Sequence, residues 1–387
     1  MGKRVGMEVA IAAAEAVALC NIDVAAVYPI TPQSHIAEHM ADIIHDGRID
    51  AEFITVESEH SAISACAGAS AAGARAYTAT SSQGLMLMHE ILPIVSAMRL
   101  PICMANANRA VSGPLNIWND HTDIMPQRDS GWISLFVENG QEAIDLSIMS
   151  FKIAEDPEVM LPCVVNIDGF QLTHMIEPLE LPSQSEVAKF LPPRKAFAQL
   201  HPDNPISMGC FAMPDTYTET VKAKEVALRA AKKVVTRVFG EWAKRFGRKY
   251  SVVETYRAKD ADTLMLTMGS MGETAATAVD EMRKAGRKVG LVKLRLWRPF
   301  PVEEFKVAVQ GCKTLIVMDR AISTGGAGGP VATDVKSLLY GDKKKPRVLN
   351  VIAGLGGRDL TVGDFVAMFD LAKKKKDETF ELYGVRE

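Results

Sequence analysis

Three short stretches of this 387-residue chain carry side chains that can do chemistry. In "AAVYPITPQSHIAEHMAD", residues 25–42, two prolines bracket Thr31, and His35, Glu38 and His39 follow at H-x-x-E-H spacing. Two histidines one helical turn apart can ligate zinc, with the glutamate as base. In "TVESEHSAISACAGASAAG", Glu57 and Glu59 stand at the start of a helix of Ala, Ser and Gly, a surface that lets another element or a cofactor approach closely. A carboxylate there can cap the helix through its dipole or pair with a heterocycle nitrogen. In "NRAVSGPLNIWNDHTD", Arg109 follows an apolar run. Its guanidinium suits a substrate carboxylate, through two parallel charge-assisted hydrogen bonds, or an internal ion pair with Asp120 or Asp123.

The histidine pair has a plain alternative. Ile36, Met40, Ile43 and Ile44 define a buried stripe, which leaves His35 and His39 on a solvated flank, and no third ligand is evident downstream. Ser34, preceded by Pro32, reads as the helix N-cap. The sequence "STGGAGGP", residues 323–330, sits where phosphate loops do, between a strand and a helix. It lacks the Walker lysine and the G-x-G-x-x-G order, so a tight strand-to-helix turn accounts for it.

These residues must be positioned by an α/β scaffold. Apolar runs at 24–29, 51–56, 74–81, 101–108 and 161–168 are continuous rather than alternating, as in parallel strands covered on both faces. Helical patterns at about 34–45, 57–72, 84–98 and 140–155 lie between them, which implies a right-handed parallel sheet. In such a sheet, ligands bind beyond the carboxyl ends of the strands. The segments there gather Thr31, Glu57, Glu59, Ser81, Ser82, Gln83, Arg109, Asn119, Asp120, His121 and Asp123 on one rim. Convergence of this kind marks a small-molecule site.

From about 178 to 216 the pattern gives way to a proline-rich excursion, then a basic helix at about 219–246. Strands near 262–269, 288–295, 313–320 and 347–354 form a second α/β unit, and "KKKKDE" at 373–378 reads as a solvated helix end. The expected organisation is a first domain over 1–178, an excursion and connecting helix over 179–258, and a second domain over 259–387.

Composition bounds the function. With 44 Lys plus Arg against 47 Asp plus Glu, the net charge of -3 is too balanced for a nucleic-acid footprint. The N-terminal segment reads as an amphipathic helix rather than a secretory signal, because Glu8 and Glu15 interrupt its apolar run. No run approaches the ~20 apolar residues of a membrane span. The six cysteines are widely spaced with no C-x-x-C, which argues against a cluster or structural zinc in this chain, and a reduced cytoplasmic setting fits.

Taken together, "VYPITPQS", "VESEHSAISACAGASAAGARAYTATSSQGLMLMHE", "NRAVSGPLNIWNDHTD", "QRDSGW", "NIDGFQLTH" and "GSMGETAATAVDEMRKAGRKVGLVKLRLWRPFP" resemble the α subunit of pyruvate and related 2-oxoacid:ferredoxin oxidoreductases over nearly the whole chain. The resemblance implies a thiamine diphosphate-binding fold, its first domain being the pyrimidine-type half and its second a transketolase C-terminal-like domain. By motif position, it implies that Glu59 pairs with N1′ of the aminopyrimidine, while Thr31 and Arg109 hold the substrate carboxylate. Tyr28, Pro29, Ile30, Ser82, Gln83, Asn119 and Asp120 are candidate loop contacts. The Gly-Asp-Gly motif that holds diphosphate and Mg2+ does not occur, so a β subunit would supply that half. The [4Fe-4S] clusters belong likewise to partner chains, in a complex with γ and δ subunits, and ferredoxin and coenzyme A complete the implied reaction. Thr31 is short and "NIWNDHTD" looks closer to pyruvate enzymes than to branched-chain ones, so pyruvate is the expected substrate and 2-oxoisovalerate the runner-up. A non-catalytic scaffold and a zinc hydrolase built on "HIAEH" are the rivals from other classes.

Overall fold

A computed structural model describes residues 2–375 and 380–386 of the chain. Of the expected solvated helix end, Lys373 and Lys374 close the helix Val362–Lys374, and 376–378 lie outside the described residues. The first unit is built on a seven-stranded sheet in the spatial order Leu296–Arg298, Ile133–Phe136, Cys163–Asp168, Cys103–Asn108, Ala76–Thr80, Val24–Ala26, Glu52–Ile54. All neighbours run parallel except Leu296–Arg298, which comes from the second unit and pairs antiparallel with Ile133–Phe136. The second unit carries a six-stranded sheet, in the order Phe380–Leu382, Arg347–Ile352, Thr314–Asp319, Thr263–Thr267, Val289–Leu294, Val253–Tyr256. Its last strand is again an antiparallel edge.

Three sequence expectations need correction. Residues 3–8 form a strand, Lys3–Glu8, paired antiparallel with Ile176–Leu181. The helix that follows, Val9–Ala18, is not amphipathic: all its residues except Ile11 and Glu15 are buried, because its alanines let helices pack close on both sides. The single helix expected over 84–98 is two, Ser82–Met88 and Leu92–Ala97, since Pro93 lacks an N–H and is accommodated only in the first turn of a new helix.

The long helix Pro214–Phe246 ends at Gly247, whose φ of 78° is the left-handed C-terminal cap that glycine adopts without steric cost. Val234, Val235, Val238 and Trp242 on its second half are buried in the core of the first unit. Trp242 Nε1 donates to the buried Asp145 of helix Gly140–Ala154 at 3.0 Å, which satisfies the one polar atom of an otherwise apolar side chain. Truncation of Trp242 to alanine would cost about 3–5 kcal/mol by cavity formation.

The glycine-rich 323–330 stretch is occupied from within. Asp319, at the end of its strand, accepts from the Val331 and Ala332 N–H groups at 2.8 and 3.1 Å. The start of helix Pro330–Leu339 therefore already holds an anion of the chain itself. A Cβ at Gly329 would lie 2.1 Å from the Asp319 carboxyl carbon, which is why glycine stands there. Burial pushes the Asp319 carboxyl up to about 7 despite these hydrogen bonds.

The two units are joined by a buried polar lock. Asp168, the last residue of its strand, accepts from His121 Nε2 at 3.0 Å, Arg320 Nη1 at 3.1 Å and Ser270 Oγ at 2.5 Å. Arg320 and Ser270 belong to the second unit, and Asp168 and its two charged or ionisable partners, His121 and Arg320, are almost wholly buried.

Candidate active site

The chain leaves Val24–Ala26 for Glu52–Ile54 on one side, then returns to Ala76–Thr80 on the other. Strand order reverses there, and the carboxyl ends of strands at such a switch point are the usual ligand position in an open α/β sheet. The turn containing Thr31 borders it on one side and the Ser81–Gly84 turn on the other. Helix Glu59–Ala71, which crosses between the outer strand and Ala76–Thr80, starts beside it.

Glu59 is the first residue of that helix and is only 7% exposed. Capping is done by others: Ser58 Oγ accepts from Ser61 N, and the exposed Glu57 accepts from Ser61 Oγ at 2.5 Å. No described residue donates a hydrogen bond to the Glu59 carboxylate. A Cβ at Gly84 would lie 2.6 Å from Glu59 Oε1 and 2.5 Å from Thr80 Oγ1, so the glycine allows the Ser82–Met88 helix to close on the carboxylate. Thr78 Oγ1, Thr80 Oγ1 and Ser81 Oγ beneath it are buried without partners. The rim thus presents a buried acceptor and unused hydroxyls, groups able to pair with an external N–H.

Arg109 is also 7% exposed. It forms no ion pair with Asp120 or Asp123; its Nε donates to Asn116 O and its Nη1 to Thr31 O, both at 2.9 Å. Nη2 has no partner among the described residues, so the guanidinium is oriented by carbonyls and keeps its charge for an incoming anion. Burial lowers the Arg109 pKa, with the nearby Asp123 acting against that shift. Thr31 is exposed at the turn, followed by a cis peptide to Pro32.

Asp123, expected on the rim or as an ion-pair partner of Arg109, is instead the hub beneath both loops. Its Oδ2 accepts from Arg109 N at 3.0 Å and Ser82 N at 3.1 Å, and its Oδ1 from Asn108 Nδ2 at 3.0 Å. Burial dominates and pushes its carboxyl up to about 6. Ser82 is held at φ 44°, a left-handed conformation costing about 1–3 kcal/mol in a non-glycine residue. Besides the Asp123 contact, Ser82 Oγ lies 2.7 Å from the Ala110 carbonyl and 2.6 Å from Gln83 Oε1. The signal for this hub was the alternating asparagine in "CMANAN". Asn106 pairs in register with Thr80 on one side and Asn166 on the other, a polar row across a covered sheet.

The remaining candidates divide. Tyr28 and Ile30 are half-buried and Pro29 exposed in the turn, and Gln33, not Ser34, is the residue before the helix, with its Oε1 accepting from Ile30 N at 3.3 Å. Gln83 is half-buried beside Ser82. Asp120 turns away from the crevice, its Oδ2 accepting from Gly356 N at 2.9 Å, whereas the Asn119 side chain is buried with neither amide atom paired. His121 belongs to the interdomain lock. The H-x-x-E-H histidines diverge, His35 Nδ1 meeting Glu8 at 2.6 Å and His39 Nε2 meeting Glu15 at 2.8 Å, while Glu38 is exposed. Glu8, His35 and His174 bring ligating atoms within 4.8 Å of one another, but the two imidazoles are stacked at 4.6 Å and 33°. His35 is hydrogen-bonded to Glu8 and His174 to Thr173, so both rings already have protein partners. Among the described residues no helix is long and apolar enough to cross a membrane.

At the strand-order switch point, a buried unpaired glutamate and a carbonyl-oriented arginine form the candidate site of an α/β protein. The chain belongs to the pyruvate:ferredoxin oxidoreductase family. Residues 15–240 match the thiamine diphosphate-binding domain of pyruvate flavodoxin/ferredoxin oxidoreductases, and residues 261–365 match core domain II of pyruvate:ferredoxin oxidoreductase. The chain is 46% identical to the pyruvate synthase subunit PorA of Methanocaldococcus jannaschii, over 97% of this chain and 96% of that one. It is 44% identical to the ketoisovalerate oxidoreductase subunit VorA of Pyrococcus horikoshii, over 97% of this chain and 96% of that one. Its fold is shared with the 2-oxoglutarate:ferredoxin oxidoreductase of Magnetococcus marinus, solved with 2-oxoglutarate, coenzyme A and succinyl-CoA bound, at a TM-score of 0.71 and 18% identity, over 96% of this chain and 65% of that one.

Proposed function

We propose that this chain is the α subunit of a cytoplasmic, multi-subunit pyruvate:ferredoxin oxidoreductase. The enzyme decarboxylates pyruvate oxidatively to acetyl-CoA and CO2 while reducing ferredoxin, and runs reversibly. The observation that carries the reading is the pairing, across one switch-point crevice, of the buried and unpartnered Glu59 with the carbonyl-oriented Arg109, in a chain similar end to end to pyruvate synthase subunits. Bound thiamine diphosphate supplies the electron sink for breaking the bond between the 2-oxo carbon and the carboxylate.

The residues of this chain hold and orient. Glu59 accepts a hydrogen bond from the protonated N1′ of the aminopyrimidine in a buried pocket closed by Gly84 and lined by the Thr78, Thr80 and Ser81 hydroxyls, and so fixes the protonation state of that ring. Arg109 receives the substrate carboxylate on its free Nη2, with the Thr31 hydroxyl beside it, which aligns the scissile bond. Tyr28, Pro29, Ile30, Ser82 and Gln83 shape the crevice walls. The diphosphate half of the site and Mg2+ lie in a β subunit, because this chain has no Gly-Asp-Gly motif. The [4Fe-4S] clusters, with γ and δ subunits, carry the electrons. The 44% identity to a ketoisovalerate oxidoreductase subunit favours a second reading, a branched-chain 2-oxoacid as substrate. Coenzyme A-dependent dye reduction by the assembled complex, measured over pyruvate, 2-oxoisovalerate and 2-oxoglutarate, decides between them. Pyruvate should give the highest kcat/KM, and a complex turning over none of the three would overturn the reading.

A further inference from the structure

The loop that carries the substrate arginine is held by the second domain as well as by the first. Between Arg109 and Asp123 the chain leaves the sheet edge and reaches across to the short helical turn Leu355–Gly357. Asn116 Nδ2 donates to Gly356 O at 3.1 Å, Asp120 Oδ2 accepts from Gly356 N at 2.9 Å, and Asn119 O accepts from Gly357 N at 2.7 Å. His121 N donates to Arg320 O at 2.9 Å, and the Arg320 guanidinium reaches both Asn119 O and Asp168. The same Asn116 whose amide is anchored on Gly356 offers its backbone carbonyl to Arg109 Nε at 2.9 Å. Its Oδ1 also accepts from Trp118 N at 2.6 Å, so the residue is fixed at three points.

We infer that the second domain is a positioning element for substrate binding: Gly356, acting through Asn116, sets the rotamer in which Arg109 meets the 2-oxoacid carboxylate. This rests on the carboxylate role of Arg109 proposed above. The fit at the contact is close. A Cβ at Gly356 would lie 2.5 Å from Asn116 Nδ2, and one at Gly357 would lie 2.3 Å from Trp118 Cβ, so only glycines let the turn approach the loop. A guanidinium binds a carboxylate well only in a narrow range of orientation, because two donors must align at once. Displacing the Asn116 carbonyl leaves Arg109 oriented by the Thr31 carbonyl alone, which weakens substrate binding without touching the cofactor.

The test uses the holoenzyme assembled with its partner subunits. Asn116→Ala removes the anchor without adding bulk, and Gly356→Ala pushes on it. Asn116→Ala should raise KM for pyruvate about ten-fold, with kcat within two-fold, and with thiamine diphosphate affinity by calorimetry, melting temperature and subunit assembly unchanged; Gly356→Ala should raise KM at least as far, with a lower melting temperature because alanine is strained at the left-handed φ of 57°. An unchanged KM in Asn116→Ala overturns the inference, as does a parallel fall in cofactor affinity, melting temperature and kcat, which would mark a merely structural contact. Arg109→Ala is measured alongside. If it leaves KM unchanged, the carboxylate reading itself has failed; if it raises KM while Asn116→Ala does not, only the positioning role has.

Discussion

Arg109 donates from Nη1 to the backbone carbonyl of Thr31 at 2.9 Å, so the two residues assigned to the substrate carboxylate form one mechanical unit. The threonine is presented by a proline-stiffened turn, and the arginine by a loop from two strands away. Neither can shift without the other. Lysine cannot reproduce this, since an ammonium lacks the planar fork that serves Asn116 O, Thr31 O and an anion simultaneously. Arg109→Lys should therefore lower kcat/KM for pyruvate roughly 10- to 100-fold, equivalent to losing about 1.5–3 kcal/mol of charge-assisted hydrogen bonding, mostly through KM. Steady-state kinetics at fixed coenzyme A and cofactor will show it.

Glu59→Gln keeps the size of the side chain and removes the charge that pairs with a protonated ring nitrogen. Turnover should fall by more than 100-fold with the complex still assembled. Gel filtration together with dye reduction checks this, and full turnover would sink the assignment.

Gly84→Ala tests the same pocket from the opposite wall. The added methyl would sit 2.6 Å from Glu59 Oε1, so the carboxylate must tilt. Thiamine diphosphate affinity measured by calorimetry should drop at least ten-fold, while the far-ultraviolet spectrum stays that of the parent.

Asp123 links pH to stability. Its folded pKa, about 6, lies above its ordinary value of 3.8 because burial opposes ionisation. The corresponding stabilisation is complete below the ordinary value and is lost as pH rises through about 6, a change of up to about 3 kcal/mol. Denaturant melts should show the parent losing stability relative to Asp123→Asn between pH 4 and pH 6, with a flat difference above pH 7.

Asp168 behaves in the opposite sense. Burial opposes its ionisation, but Arg320, His121 and Ser270 outweigh burial and hold its carboxyl well below the ordinary range. Its stabilisation is present above the ordinary value of 3.8 and is lost only as pH falls through the depressed one, so the interdomain lock should survive mild acid. Asp168→Ala strands a buried guanidinium and should cost about 3–5 kcal/mol, read as a lower denaturant midpoint.

Much of the site was legible in the order of residues along the chain. Glu59, Thr31 and Arg109 each follow an apolar run and precede a helix or loop, and a parallel sheet delivers all such positions to one edge. The buried stripe of Ile36, Met40 and Ile43 was readable from its spacing, and with it the flanking place of His35 and His39. What could not be read was the destination of polar side chains with two equally good partners. Asp120 and Asp123 stand three residues apart in one loop, yet the first caps a turn of the second domain and the second ties Arg109 to Ser82. The strand Leu296–Arg298 was invisible for the same reason, because three residues carry no periodicity and pair only with an edge built 160 residues earlier.

The sequence by itself determined the class of the fold, the edge at which chemistry gathers and the residue types that meet there, since hydrophobic periodicity and strand–helix alternation are local properties. Only the tertiary structure decided which carboxylate stays unpaired, which carbonyls aim the arginine and which domain holds its loop. Those outcomes depend on desolvation and on hydrogen-bond competition among residues far apart in the chain, and both are settled only when the two domains close on each other.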